Sequence, residues 1–133
     1  MSHELRLRVY YEDTDLAGIV YYANYLKFIE RGRTEAVRAA GIDQSDLRAR
    51  HSLVFAVRRI EADYLLPARF DDELVVLTAL TRVGGASVEM RQEIRRGGNV
   101  LFAAKVRLAC ITPQGRAARL PADIRRRLEL IGG

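Results

Sequence analysis

The sequence predicts an α+β fold in which an antiparallel sheet of about five strands wraps around one long helix. Three observations predict it. One apolar pattern of helical period runs from Tyr22 to Ala40. Strand-like alternation of apolar and polar residues flanks that stretch on both sides, and glycine pairs divide the downstream part into hairpins. The chain has 133 residues, 49% hydrophobic and 29% charged, which suits one core, so residues 1–133 are expected to form a single domain.

The elements follow in chain order. Leu5 to Tyr11 reads as the first strand. In the helix, Tyr25, Phe28, Ile29, Gly32, Ala36 and Ala39 share one face, while Lys27, Arg31, Thr34, Glu35 and Arg38 share the other. At about 1.5 Å per residue it would span roughly 28 Å, enough to cross a sheet. Gly41 ends it. Gly32 costs about 1 kcal/mol relative to Ala inside a helix, and close packing against the sheet would account for it. Ile60, Ala62, Tyr64 and Leu66 alternate with Arg59, Glu61 and Asp63 until Pro67 withholds a donor. Leu74 to Val83, Ser87 to Arg96 and Val100 to Cys110 then form a meander, with Gly84-Gly85 and Gly97-Gly98-Asn99 expected to supply positive φ at its turns. A last helix starts at Pro121 and buries Ile124, Leu128 and Ile131. The chain has no internal repeat, low-complexity tract or linker.

Composition excludes several classes. A single Cys110 forms no intramolecular disulfide, and His3, His51 and Cys110 are too scattered for a zinc site, so no metal is expected. No run approaches the roughly 18 apolar residues of a membrane span. A soluble, cytoplasmic protein without membrane insertion is expected. The net charge is +5, and 20 of the 22 basic residues are arginine. Along the strands, however, arginines interleave with Glu61, Glu89 and Glu93, and only Arg116, Arg119 and Arg125 to Arg127 are dense. That is a mixed solvated face rather than a stripe, so nucleic acid is not an expected partner.

The chemically informative segment is Tyr10 to Tyr25, a carboxylate-rich turn that feeds directly into the long helix. A carboxylate there faces a helix N-terminus, whose unpaired N–H groups carry partial positive charge and can hold an anion or polarise a carbonyl. Asp as nucleophile or general base, beside N–H donors for an oxyanion, is the minimum equipment for acyl hydrolysis. Asp and Thr before a helix also serve as caps and turn formers, the reading given to Asp13. A Ser-His-Asp hydrolase lacks a usable histidine and a nucleophile elbow. Cys110, on the apolar face of a strand, reads as core.

Arg8-Val9, Thr14-Asp15, Gly18-Ile19-Val20 and Ala23-Asn24-Tyr25, at their observed spacing, resemble the signature of the 4-hydroxybenzoyl-CoA thioesterase family of hotdog-fold proteins. The continuation Leu26 to Glu35 is similar to the YbgC branch, acyl-CoA thioesterases associated with the Tol-Pal system, and Tyr64, Pro67, Ala68, Arg69 and Asp71-Asp72 extend the likeness over nearly the whole chain. The resemblance implies a hotdog fold and hydrolysis of an acyl-CoA thioester to a carboxylic acid and CoA. It carries the catalytic carboxylate onto Asp15 and the carbonyl-polarising backbone N–H onto Tyr22, where close relatives often have His. Hotdog dehydratases and hydratases resemble this fold but need a histidine at the site. Gly18, in the matched motif, and Phe55, at the acyl pocket, are assigned to substrate, with Arg82 and the Arg116 to Arg127 group for CoA phosphates. Glu30 is read as supporting the site. No cofactor is implied, since CoA is part of the substrate. The resemblance further implies a homo-oligomer, dimer or tetramer, with sites between subunits. The alternative is a non-catalytic partner that binds acyl groups or acyl carrier protein in an envelope or lipid-synthesis complex.

Overall fold

The computed structural model describes residues 2–133. Its elements are β1 (His3–Arg8), a 3-10 turn (Tyr11–Asp13), α1 (Asn24–Ala39), α2 (Gln44–His51), β2 (Val54–Tyr64), β3 (Glu73–Val83), β4 (Ser87–Arg96), β5 (Asn99–Ile111), α3 (Ala122–Leu128) and a closing 3-10 turn (Glu129–Ile131). The five strands form one sheet in the order β1-β3-β4-β5-β2. Every neighbouring pair is antiparallel. β1 and β2 are the edges.

Alternation explains the sheet. Val88, Met90, Gln92 and Ile94 of β4 are buried on one face, and Val76 and Thr78 of β3 lie beside them. On that face sits α1, the longest helix, packed against β1, β3 and β4. It buries Tyr25, Phe28, Ile29, Gly32, Arg33, Ala36 and Val37. Gly32 meets the expectation of close approach: a Cβ there would stand 2.5 Å from Val76 Cγ1. The same contact holds a buried polar cluster. The Gln92 amide donates to the Ile29 carbonyl (2.8 Å) and to Thr78 Oγ1 (2.9 Å) and accepts from Arg33 Nη1 (3.0 Å), so its amide is not left unpaired. Burial pushes the Arg33 pKa down, against the attraction of Glu30.

The structure departs from the sequence expectation at several points, β2 among them, which starts at Val54 and stops at Tyr64, short of Leu66. β1 ends at Arg8, because Val9 bonds to Asp72 and the chain then turns through Tyr11–Asp13. The long helix begins at Asn24 rather than Tyr22, since the Tyr21 N–H is drawn to the Asp13 carbonyl (3.0 Å) and the Asn24 N–H closes a turn on the Tyr21 carbonyl (2.8 Å). Its buried stripe takes in Arg33 and Val37, leaving Ala39 exposed. Helix α2 was not expected; it buries only Leu47, and Asp43 caps it by accepting from the Asp46 N–H (3.1 Å). Among the hairpin glycines only Gly97 has positive φ.

Candidate active site at the start of the long helix

The segment before α1 folds on itself. Thr14 and Val20 form an antiparallel bridge. Inside it the Asp15 N–H donates to the Ile19 carbonyl, and the Gly18 N–H donates back to the Asp15 carbonyl, both at 2.9 Å. This tight turn needs the left-handed φ of 78° at Gly18, where a side chain would be strained. Val20 and Ile19 fasten the turn to the 65–72 loop, through the Ala68 carbonyl (2.9 Å) and a bridge to Arg69.

Two carboxylates result, with different environments. Asp13 Oδ2 accepts from the Tyr10 N–H (2.8 Å), and its main-chain carbonyl accepts from Tyr21 N–H and Asn24 Nδ2 (2.9 Å). Asp13 builds the turn, as the sequence reading assigned it. Asp15 Oδ1 accepts from the Ala17 N–H (2.9 Å); the side chain is otherwise exposed, with no salt bridge among the described residues. Its charge reaches the neighbouring phenols. The Tyr21 pKa is pushed up first by its hydrogen bond to Tyr22 and by the Tyr22 charge, with Asp15 adding to the shift.

At the adjoining helix terminus, no side chain caps Ala23 and no acidic residue lies in the first turn. The first-turn N–H groups of Asn24, Tyr25 and Leu26 are met instead by the carbonyls of Tyr21, Tyr22 and Ala23. Among the described residues the Tyr22 and Ala23 N–H groups have no acceptor, whereas the Tyr22 carbonyl accepts from the Tyr64 hydroxyl (3.2 Å). Tyr64 also packs edge-on against Tyr22 and Tyr25, with ring centroids 6.2 and 5.5 Å apart, and Tyr25 stacks on Phe102. The Tyr25 hydroxyl in turn accepts from the Ala68 N–H (3.0 Å). An aromatic frame thus holds the backbone around Tyr22, whose carbonyl is bonded and whose N–H has no acceptor among the described residues. The segment offers a carboxylate with an open oxygen and, seven residues on and just before α1, an N–H without an acceptor among the described residues, the two kinds of group that acyl transfer uses.

Comparison with known proteins agrees with this chemistry. The thioesterase superfamily model matches residues 17–103, a span that takes in Gly18, Tyr22 and α1 and begins two residues after Asp15. The chain is 42% identical over 105 residues to the acyl-CoA thioesterase YbgC of Haemophilus influenzae, covering 79% of this chain and 77% of the relative. The chain belongs to the thioesterase superfamily, among its YbgC-type acyl-CoA thioesterases. A probable thioesterase from Bartonella henselae superposes with a TM-score of 0.87 at 40% identity, covering 91% of this chain and all of that one. The 1,4-dihydroxy-2-naphthoyl-CoA hydrolase of Nostoc punctiforme is 29% identical over 130 residues, 97% of this chain and 88% of the relative. The hotdog fold expected from the sequence is the fold of these thioesterases.

Within one copy of the thioesterase, Asp15, Gly18 and Tyr22 come together, and Phe55 and Arg82 do not join them. Phe55 lies at the start of β2, paired with Cys110, whereas Tyr64 beside the site is the last residue of that strand. Arg82 stands near the end of β3, nine residues beyond Glu73, roughly 30 Å along the strand. It faces Glu89 across the sheet, where with Arg107 it holds the Glu89 carboxyl below the usual range, the Arg107 hydrogen bond being the larger cause. Glu30 is exposed and accepts from Thr34 Oγ1 (2.7 Å). The dense arginines gather at the same far end: Arg125 donates to the carbonyls of Gly84 (2.7 Å) and Val83 (3.1 Å). Cys110 is buried, and burial pushes its thiol up.

Sequence reasoning gave no site role to Asp72. Burial alone would push its carboxyl up, but the Arg69 N–H (2.8 Å) and Arg96 Nη1 (2.7 Å) outweigh this and hold it below the usual carboxylate range. Asp72 thereby locks the 65–72 loop against which the Asp15 turn is pinned. Among the described residues no cluster of three His, Cys, Asp or Glu side chains is placed to hold a metal ion, and no helix is long and apolar enough to cross a membrane.

Proposed function

We propose that Asp15 and the Tyr22 N–H are the catalytic groups of this thioesterase, and that water hydrolyses its acyl-CoA substrate to a carboxylic acid and free CoA. What supports the assignment is a Tyr22 N–H with no acceptor among the described residues just before α1, on the same turn-and-bridge segment as a carboxylate with one oxygen uncommitted. The N–H donates to the thioester carbonyl oxygen and takes up the charge that grows there as the carbon becomes tetrahedral. Asp15 acts in one of two ways. Either it attacks the carbon and expels the CoA thiolate, giving an anhydride that water opens, or it takes a proton from the water that attacks. Both routes use protein groups and water alone, so no cofactor is part of the proposal.

The working enzyme is proposed to be a cytoplasmic homo-oligomer. β2 is an edge with a bare side, Val57 on it is exposed, and a groove of about 520 Å³ lined by Leu26, Val57, Ile60 and Arg33 runs between it and α1. Two-fold antiparallel pairing of β2 edges would cover this groove. It would carry Phe55 and the arginine-rich far end of one copy towards the Tyr64 end of the other, where acyl chain and CoA phosphates would meet them. Gly18 contributes the turn on which substrate rests. Association with the Tol-Pal system is carried by the resemblance to YbgC.

The test is Asp15→Asn. Asn retains an oxygen for the Ala17 N–H, so the turn survives while the charge is lost. Thiol release from a panel of acyl-CoA lengths and one aromatic CoA ester should fall at least about 100-fold, about 2.7 kcal/mol in barrier, with an unchanged circular dichroism spectrum. Turnover near the wild-type rate would end the assignment. Absence of thiol release from the wild-type chain over the whole panel would favour the non-catalytic acyl-group or carrier-protein binder.

A further inference from the structure

The sheet face turned away from α1 carries an arrangement that the proposed hydrolysis does not use. On two adjacent rungs the register sets Arg59 opposite Arg107, and Lys105 opposite Arg91. Like charges directly opposite one another destabilise a sheet, so two such pairs side by side call for compensation. The first pair has it: Arg59 reaches Glu61 at 2.6 Å, and Arg107 grips Glu89 through Nε (3.0 Å) and Nη2 (2.6 Å). In the second pair Lys105 also lies opposite Glu61 on β2, but Glu61 is turned to Arg59 and makes no ion pair with Lys105. Neither Arg91 nor Lys105 has a carboxylate within 4 Å among the described residues. These six side chains line one concavity of about 470 Å³, within the range of small-ligand sites.

We propose that this concavity is a binding site for a phosphate-bearing small molecule, held by Arg91 and Lys105. A planar guanidinium and a compact ammonium on neighbouring strands, about 5 Å apart at the backbone, can reach different oxygens of one tetrahedral dianion. Arg59 and Arg107 flank it with their charges matched by Glu61 and Glu89, so the net positive charge of the concavity is that of Arg91 and Lys105. A protein partner fits less well, because the lining exposes no aromatic or large aliphatic anchor of the kind that dominates protein interfaces. The site lies on the opposite side of the sheet from α1, so its occupation does not depend on the assignment of Asp15.

The experiment is calorimetric titration of the full chain at low salt with inorganic pyrophosphate and, separately, with adenosine 3′,5′-bisphosphate. Saturable binding of one anion per chain is expected, weakened at least tenfold by Arg91→Ala combined with Lys105→Ala and retained by Lys105→Arg. Arg6→Ala, a cation at the other edge of the sheet, should change nothing. Tighter binding of the nucleotide would identify a nucleotide ligand, and equal or tighter binding of pyrophosphate a simple phosphate species; either supports the site. No saturable binding, indifference to the Arg91 and Lys105 changes, or an equal loss with Arg6→Ala would overturn it. So would a fall in molar mass by light scattering in the double variant of a chain that binds no anion, which would make the face a contact between copies. Circular dichroism and the retained-binding Lys105→Arg variant separate loss of binding from loss of fold.

Discussion

Replacing Gly32 with Ala tests the packing that holds the long helix on the sheet. Helix propensity favours the change by about 1 kcal/mol. The structure opposes it, because the new methyl would stand 2.5 Å from Val76 Cγ1, whereas carbon atoms rest at about 3.5 to 4.0 Å. Something must move by an ångström or more. Val76 is fully buried and β-branched, so it does not swing aside cheaply, and overpacking of this kind costs about 1 to 3 kcal/mol. If α1 lifts instead, the Gln92 bond to the Ile29 carbonyl and the Arg33 bond to Gln92 lengthen together, at about 1 kcal/mol each. Net of the propensity gain, the balance is a destabilisation of about 1 to 2 kcal/mol, read as a lower urea midpoint at unchanged slope. In a Val76→Ala background the cost should largely disappear, since the blocking methyl is gone. A Gly32→Ala protein as stable as wild type would refute the reasoning. So would an undiminished cost beside Val76→Ala.

Two further outcomes follow from the site. Tyr22→Phe should retain most of kcat, because the proposed donor is the main-chain N–H and the ring contacts are kept; a hundredfold fall with α1 intact by circular dichroism would make the hydroxyl a general acid instead. Asp72→Asn should lower stability at pH 7 by about 1 to 2 kcal/mol through loss of charge-assisted bonds to Arg69 and Arg96. The native carboxyl is held below its unfolded value, so its contribution is present above the ordinary carboxylate pKa of about 4 and disappears as pH falls through the native value. Urea titrations of both proteins should converge in acid; a gap that persists at about pH 2 would contradict the assignment.

The strands of the meander were legible to within a residue or two at their ends, because burial of one sheet face writes a period of two into Val88, Met90, Gln92 and Ile94. α2 escaped because its eight residues bury only Leu47, which leaves no apolar stripe; the Asp43 cap was its one local signal. That Asp15, Gly18 and Tyr22 share one folded segment was legible for a related reason. They lie within eight residues of one another, so sequence neighbourhood and spatial neighbourhood coincide. Tyr64 and Ala68, which fix the same backbone, arrive from more than forty residues away through bonds that no local pattern announces. Phe55 and Arg82 show the converse. Counting along β2 and β3 puts both at the end of the sheet far from Asp15, a consequence of strand direction that residue type alone conceals.

The two aspartates of the turn show how backbone bookkeeping separates structure from chemistry. Asp13 and Asp15 are alike in residue type and near in sequence, yet Asp13 is committed through its carboxylate to Tyr10 and through its carbonyl to Tyr21 and Asn24. Those bonds draw the chain away from helical geometry at Tyr21 and delay α1 until Asn24. The delay has a chemical consequence. Had α1 been extended backwards through Tyr22 with a capping Ser or Asp, its terminal partial charge would have been met by its own side chain. Instead the first turn carries neither cap nor acid, and the nearby carboxylate of Asp15 is turned onto Ala17 by a loop that only a left-handed Gly18 permits. The helix thus forgoes the roughly 1 kcal/mol that a side-chain cap contributes. Its own first-turn donors are met by the carbonyls of Tyr21, Tyr22 and Ala23, and among the described residues the donors without an acceptor are the Tyr22 and Ala23 N–H groups just before it. Because the Tyr22 N–H belongs to the main chain, it is independent of the side chain at position 22, which is why a tyrosine there is compatible with the proposed chemistry.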